Sequence, residues 1–146
     1  ADFPSSFDWA FCVQVIEHVA DPVSFLSAIG NLLTKDSRLV LTTPNREDLL
    51  VNLLPEYKEF FFRTQHRWYF NAESLTYCAA EAGLSIDSVQ FTHKYPLGNF
   101  VTWLKDRKPA GMVNIEGIEP YSESLWKLLL ERNQCSDTLI TVLRKS

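Results

Sequence analysis

The sequence predicts an α/β fold on three observations. "FDWAFCV", Phe7 to Val13, is a short apolar run rich in aromatic residues, bounded by Pro4-Ser5-Ser6, and it reads as a strand buried on both faces. Asp21-Pro22 offers a helix N-cap followed by a proline at the first helical position, where the missing N–H costs nothing. "RLVLTT", Arg38 to Thr43, is a second β-branched apolar run, stopped by Pro44-Asn45. Strand, helix, strand is the grammar of a right-handed parallel crossover.

The helix that opens at Pro22 repeats Phe25, Leu26, Ile29, Leu32 and Leu33 at helical spacing, so one stripe packs on a sheet. Residues 46–54 contain "LLVNLL", a short helix ended by Pro55 or a buried loop, and "EYKEFFFRTQHRWYF" follows with no clean period. Asn71 can cap a further helix, with Glu73 in its first turn, Gly83 as a left-handed stop, and Leu75, Cys78, Ala79 and Ala82 as its packing face. Leu84 to Tyr95 reads as a long strand whose alternation breaks near Ser88, as at a bulge. Two helical pieces, Phe100 to Asp106 and Ser122 to Arg132, are expected inside residues 96–135, an insertion or cap punctuated by Pro and Gly. "DTLITVLRK" closes the chain as a strand.

Composition narrows the functions. The chain has 146 residues, 46% apolar and 22% charged, the profile of one ordinary globular domain. A net charge of −4 gives no electrostatic footprint for nucleic acid or an anionic membrane, and the basic residues of the middle third are interleaved with acids, as on a solvated face. Cys12, Cys78 and Cys135 are odd in number and far apart, so neither a disulfide framework nor a zinc site of paired cysteines is expected, and a reducing, cytoplasmic setting fits. No apolar stretch reaches the ~18 residues of a membrane span.

"FDWAFCVQVIEHVADPVSFLSAIGNLLTKDSRLVLTTPN" and "HRWYFNAESLTYCAAEAGLSI" together resemble the class I S-adenosylmethionine-dependent methyltransferases, in particular the ubiquinone-biosynthesis O-methyltransferase group. The likeness covers about residues 1–95 and, loosely, the last strand. It implies a Rossmann-like sheet of order 3-2-1-4-5-7-6, S-adenosylmethionine as cofactor and a small-molecule methyl acceptor. The family's glycine-rich loop has no counterpart among the five isolated glycines. The expectation is therefore a partial fold: residues 1–146 as the C-terminal part of one methyltransferase domain, strands 4-5-7-6 with flanking helices, its N-terminal cofactor-binding half missing, and inactive alone. Strand 7–13 would then be an exposed apolar edge, open to pairing in a homodimer. A non-catalytic fragment or dimerisation module that binds no cofactor is the competing reading.

The resemblance also assigns residues. Ligands of open parallel sheets sit at the carboxyl ends of strands, which puts Cys12, Val13 and Gln14 along the cofactor's methionine end, mostly through backbone. Gln14, Glu17 and His18 fall at i, i+3 and i+4, one face of a helical turn. Related enzymes hold a divalent metal with two carboxylates and a histidine here; Gln14 stands where an acid is expected, and an amide is a poorer ligand for a hard cation, so no metal is expected. His18 and His66 are the candidate bases. Glu17, Asn45, Arg67 and Tyr69 are assigned to the acceptor side, and the aromatics around His66 could face the cationic sulfonium or simply serve as core. His93 reads as a strand residue.

Overall fold

The computed structural model describes residues 7–146, so the Pro4-Ser5-Ser6 boundary lies outside the described residues. The elements are β1 (Phe7–Val13), a 3-10 turn (Ile16–His18), α1 (Pro22–Leu32), β2 (Leu33–Pro44), α2 (Leu49–Leu53), α3 (Pro55–Phe61), α4 (Ala72–Glu81), β3 (Leu84–Thr92), α5 (Leu97–Asp106), α6 (Pro120–Arg132) and β4 (Thr138–Lys145). The strands form one four-stranded sheet in the order β1-β2-β4-β3, with β1 and β2 parallel and Trp9, Phe11 and Val13 paired with Arg38, Val40 and Thr42. None of the helices of the described residues is long and apolar enough to cross a membrane.

Cap chemistry sets the helix boundaries. The Asp21 side chain accepts from Ser24 N at 3.1 Å and Pro22 opens α1. Asn71 and Ser74 cap α4 reciprocally, Asn71 Oδ1 accepting from Ser74 N and Ser74 Oγ accepting from Asn71 N. Gly83 follows α4 with φ 74°, a backbone that a side chain would strain. Three expectations need correction. Pro55 opens α3 instead of only ending α2, because its fixed φ suits a first helical turn. β2 begins at Leu33, where Thr34 N bonds Ser37 Oγ and the Ser37 hydroxyl bonds the Phe7 carbonyl across an irregular register. β3 stops at Thr92, three residues short of the expected strand end.

The chain divides into two compact units. In the first, residues 1–44, 65–90 and 139–146, one face of the sheet packs on α1 and α4 through Cys12, Leu26, Leu39, Leu41, Leu75, Ala79 and Leu143. Gly30 sits where an added Cβ would lie 3.1 Å from Leu84, so α1 lies close against the start of β3. Along β1 the alternate residues Trp9, Phe11 and Val13 are exposed, while Cys12 is buried. β1 is therefore a rim strand with a wet apolar face, not a strand buried on both faces. The Rossmann-like layering runs from Phe7 through Lys145 and includes the N-terminal segment, so the expectation of a fold lacking its cofactor-binding half is not kept. It rested on a missing glycine motif, and a missing loop sequence does not determine which strands and crossovers are present.

The second unit, residues 45–64 and 91–138, has its own core of Leu50, Val51, Leu54, Tyr57 and Trp103. Residues 96–135, the expected insertion or cap, lie within it. Much of its polar interior is bonded within the unit, the buried Trp126 Nε1 excepted. Asn45 Nδ2 donates to the Gln134 and Ser136 carbonyls at 3.1 and 2.8 Å, and Asp137 Oδ2 accepts from Lys94 N and Tyr95 N. Asp48 caps α2 through Leu50 N and accepts the Tyr57 hydroxyl at 2.8 Å. Burial pushes the Asp48 carboxyl up to about 6 from its ordinary 3.8, and burial beside Asp48 keeps the Tyr57 hydroxyl protonated.

A raised carboxyl pKa means that the folded chain holds a proton the unfolded chain has released. The associated stability is full below 3.8 and is lost as the pH climbs to about 6. Replacing Asp48 by Asn should leave the cap and remove this dependence. Urea unfolding of the two proteins from pH 4 to 6 should show wild type losing about 2 kcal/mol relative to the variant. Parallel profiles would contradict the buried-carboxyl assignment.

Candidate active site at the strand ends

β1 ends at Val13, and Gln14 turns with φ 53° while its N–H still donates to the Thr42 carbonyl at 3.0 Å. The 3-10 turn follows at once, closed by His18 N on the Val15 carbonyl at 2.9 Å. This sets Glu17 and His18 at the carboxyl end of a parallel strand, where open α/β sheets bind ligands. Thr43, near the carboxyl end of β2, reaches the same place: its Oγ1 donates to Glu17 Oε2 at 3.4 Å.

Glu17 is 1% exposed, and its Oε1 has no hydrogen-bond partner. Burial pushes its carboxyl above the usual range, opposed by the His18 ring and the Thr43 hydroxyl. His18 Nδ1 lies 2.7 Å from the Gln65 carbonyl. A carbonyl can only accept, so the neutral ring carries its proton on Nδ1 and turns the Nε2 lone pair inward, 4.0 Å from Glu17 Oε1.

The segment after α3 is fastened over this turn. Arg67 N and Trp68 N both donate to the Glu17 carbonyl, at 2.8 and 3.1 Å, and the Trp68 indole N–H donates to the Val19 carbonyl at 2.9 Å. The fastening carries His66 to His18, with ring centroids 4.9 Å apart edge-on, and places Tyr69 5.7 Å from His66. Glu17, His18, His66, Arg67 and Tyr69 thus come together in the first unit.

Other expected residues are placed differently. Cys12 faces the core, with its thiol pushed up by burial, so only its backbone is available at the strand end. Val13 and Gln14 are exposed there, and the Gln14 amide donates to Thr42 Oγ1 at 3.4 Å instead of sharing a helical face with Glu17 and His18. Asn45 is buried in the second unit with its amide committed to backbone. Just past β3, His93 accepts from Asp137 N through Nδ1 at 3.2 Å, with its pKa pushed down by burial. Trp68, one of the aromatics around His66 that the sequence offers to the sulfonium or to the core, instead acts as a tether, a role nothing local marks because its partner is 49 residues away.

The family described as "Methyltransferase domain" matches residues 1–89, and the chain belongs to it. The ubiquinone biosynthesis O-methyltransferase of Aeromonas salmonicida is 26% identical over 66% of this chain and 43% of its own length. That of Xanthomonas euvesicatoria is 41% identical over 32% of this chain and 19% of its own. A possible histamine N-methyltransferase from Thermotoga maritima superposes with a TM-score of 0.58 at 21% identity, covering 97% of this chain and 57% of that one. The magnesium protoporphyrin IX methyltransferase of Synechocystis gives 0.53 at 13% identity, covering 99% and 47%. The chain thus spans about half the length of these relatives. The family match starts at residue 1 and the superpositions take in nearly the whole chain, which overturns its description as a C-terminal half. It has the fold of the S-adenosylmethionine-dependent class I methyltransferases along its length.

Trp68→Phe keeps an aromatic ring and removes the N–H donated to the Val19 carbonyl. It should lower unfolding free energy by about 1 kcal/mol, the net worth of one hydrogen bond, as read by urea titration. An unchanged midpoint would show that the indole does not hold the segment.

Proposed function

We propose that the chain transfers a methyl group from S-adenosylmethionine to a hydroxyl of a small molecule, with the acceptor proton taken at the His18–His66 pair. The observation that carries this reading is the convergence of Glu17, His18 and His66 at the carboxyl ends of parallel β1 and β2 in a chain of the methyltransferase family. The curated relatives are named O-methyltransferases, which favours oxygen as the accepting atom. The strand end fits a cofactor in that Val13, Gln14 and Val15 are exposed there and leave the sheet's rim open to a ligand. When bound, the cofactor supplies an electrophilic methyl on a positive sulfur.

The chain's residues act chiefly by positioning, for which effective molarities of ~10⁵ M or more are available. The Cys12–Gln14 backbone lines the methionine end, and Glu17, Arg67 and Tyr69 face the acceptor; Asn45 keeps a structural place in the second unit. Because the Gln65 carbonyl fixes the His18 proton on Nδ1, Nε2 is the nitrogen that receives the acceptor's proton, and the resulting imidazolium sits beside the Glu17 carboxyl. His66 orients the His18 ring edge-on and offers a second basic nitrogen.

Calorimetry with S-adenosylmethionine tests the first half of this reading, and no heat of binding would leave the non-catalytic alternative. His18→Gln should bind the cofactor as wild type does and lower turnover by about 10²-fold or more, with the rise of rate with pH abolished. Full turnover in both His18→Gln and His66→Gln would remove the base.

A further inference from the structure

We infer that α6 is a self-association surface, on which two copies of the chain pair their α6 helices antiparallel. The helix stands inside out. Its charged side chains are tied to the protein's own backbone: Glu123 accepts from Leu97 N at 2.9 Å, Glu131 accepts from His93 N at 3.3 Å, and Lys127 donates to the Lys94 carbonyl at 3.2 Å. Its apolar side chains face water instead, with Tyr121 76%, Leu125 53%, Leu128 42% and Leu129 54% exposed. A surface helix ordinarily does the reverse. Three leucines and a tyrosine in one exposed stripe mark a face that a partner covers.

Spacing and charge identify the partner as a second copy. Tyr121, Leu125, Leu128 and Arg132 recur at intervals of four, three and four, the seam of a paired helix. About a two-fold axis between Leu125 and Leu128, each Leu125 meets Leu128 of the second copy, and each Tyr121 ring meets the Arg132 guanidinium of the second copy. The apolar hollow of about 460 Å³ along this face, lined by Leu125, Trp126, Leu128, Leu129 and the ends Ser122 and Arg132, receives the opposing leucines. Glu119 stands exposed at the N-cap and Arg132 exposed in the last turn, and neither has an ion pair among the described residues. Antiparallel packing brings the acid of one copy to the base of the other at both ends and opposes the two helix dipoles. One patch thus complements itself, as a two-fold interface requires.

A lipid surface fits the same stripe less well. A helix that lies on a membrane carries Lys and Arg along its polar face, whereas the polar face of α6 is already bonded to Leu97, His93 and Lys94 and the chain carries a net charge of −4. Self-association at α6 does not rest on the methyl-transfer reading.

Sedimentation equilibrium of the full chain tests the pairing. The mass should rise with concentration toward twice 16.8 kDa, with a dissociation constant in the micromolar range of a small interface. Leu125→Lys alters an exposed position, so it should fold as wild type by circular dichroism and weaken the dimer at least ~100-fold. Arg132→Glu should weaken it about 10-fold, and adding Glu119→Arg to that variant should restore it. Phe11→Lys, on the exposed rim of β1, should leave the dimer unchanged. A chain that stays monomeric, folded Leu125→Lys that dimerises as wild type does, no restoration in the double charge swap, or a dimer abolished by Phe11→Lys would each overturn the pairing. So would a monomer that co-sediments with phosphatidylglycerol vesicles and releases them on Leu125→Lys.

Discussion

The Glu17 backbone carbonyl holds the site together. It accepts two N–H donors, from Arg67 and Trp68, and so joins the turn after β1 to a segment some fifty positions later in the chain. The Glu17 side chain is buried, and the His18 and His66 rings meet edge-on 4.9 Å apart. Burying a carboxylate without full compensation is unfavourable by several kcal/mol. The fold tolerates it because one short turn satisfies the backbone, the Thr43 hydroxyl and a nearby imidazole at once. Structural ion-pair networks also perturb pKa values; a lone buried acid with one unbonded oxygen at a strand end instead suggests function.

The second unit shows the opposite economy. Three of its buried polar side chains are matched, Asn45 to two carbonyls, Asp48 to an amide and a phenol, Asp137 to two amides, while the buried Trp126 Nε1 has no hydrogen-bond partner. Such hydrogen bonding stiffens the unit and commits these three side chains to structure. His93 illustrates the difference from His18, since its Nδ1 is already an acceptor for Asp137 N and burial keeps the ring neutral.

Much of the first unit could be read from residues because its determinants are local. Asp21 before Pro22, Asn71 three residues before Ser74, and Gly83 after α4 each fix a helix end through their own atoms. The β1-α1-β2 crossover followed from the apolar periods of Phe7–Val13 and Leu26–Ile29. What could not be read depends on distance. The start of β2 is set by Ser37 reaching Phe7, and the meeting of His18 with His66 is set by amides on a carbonyl that no periodicity marks. The supposed loss of half a domain came from treating an absent glycine motif as a statement about topology, whereas the family match begins at residue 1.

Amide hydrogen exchange tests the central joint most directly. Arg67 and Trp68 are exposed residues whose amides both donate to the Glu17 carbonyl, so protection of these amides reports on that joint. The account requires both amides to exchange as slowly as their neighbours in α4 and to lose protection together. Exchange of either amide at the rate of a free surface loop would contradict it, and with it the assembly of His66 on His18.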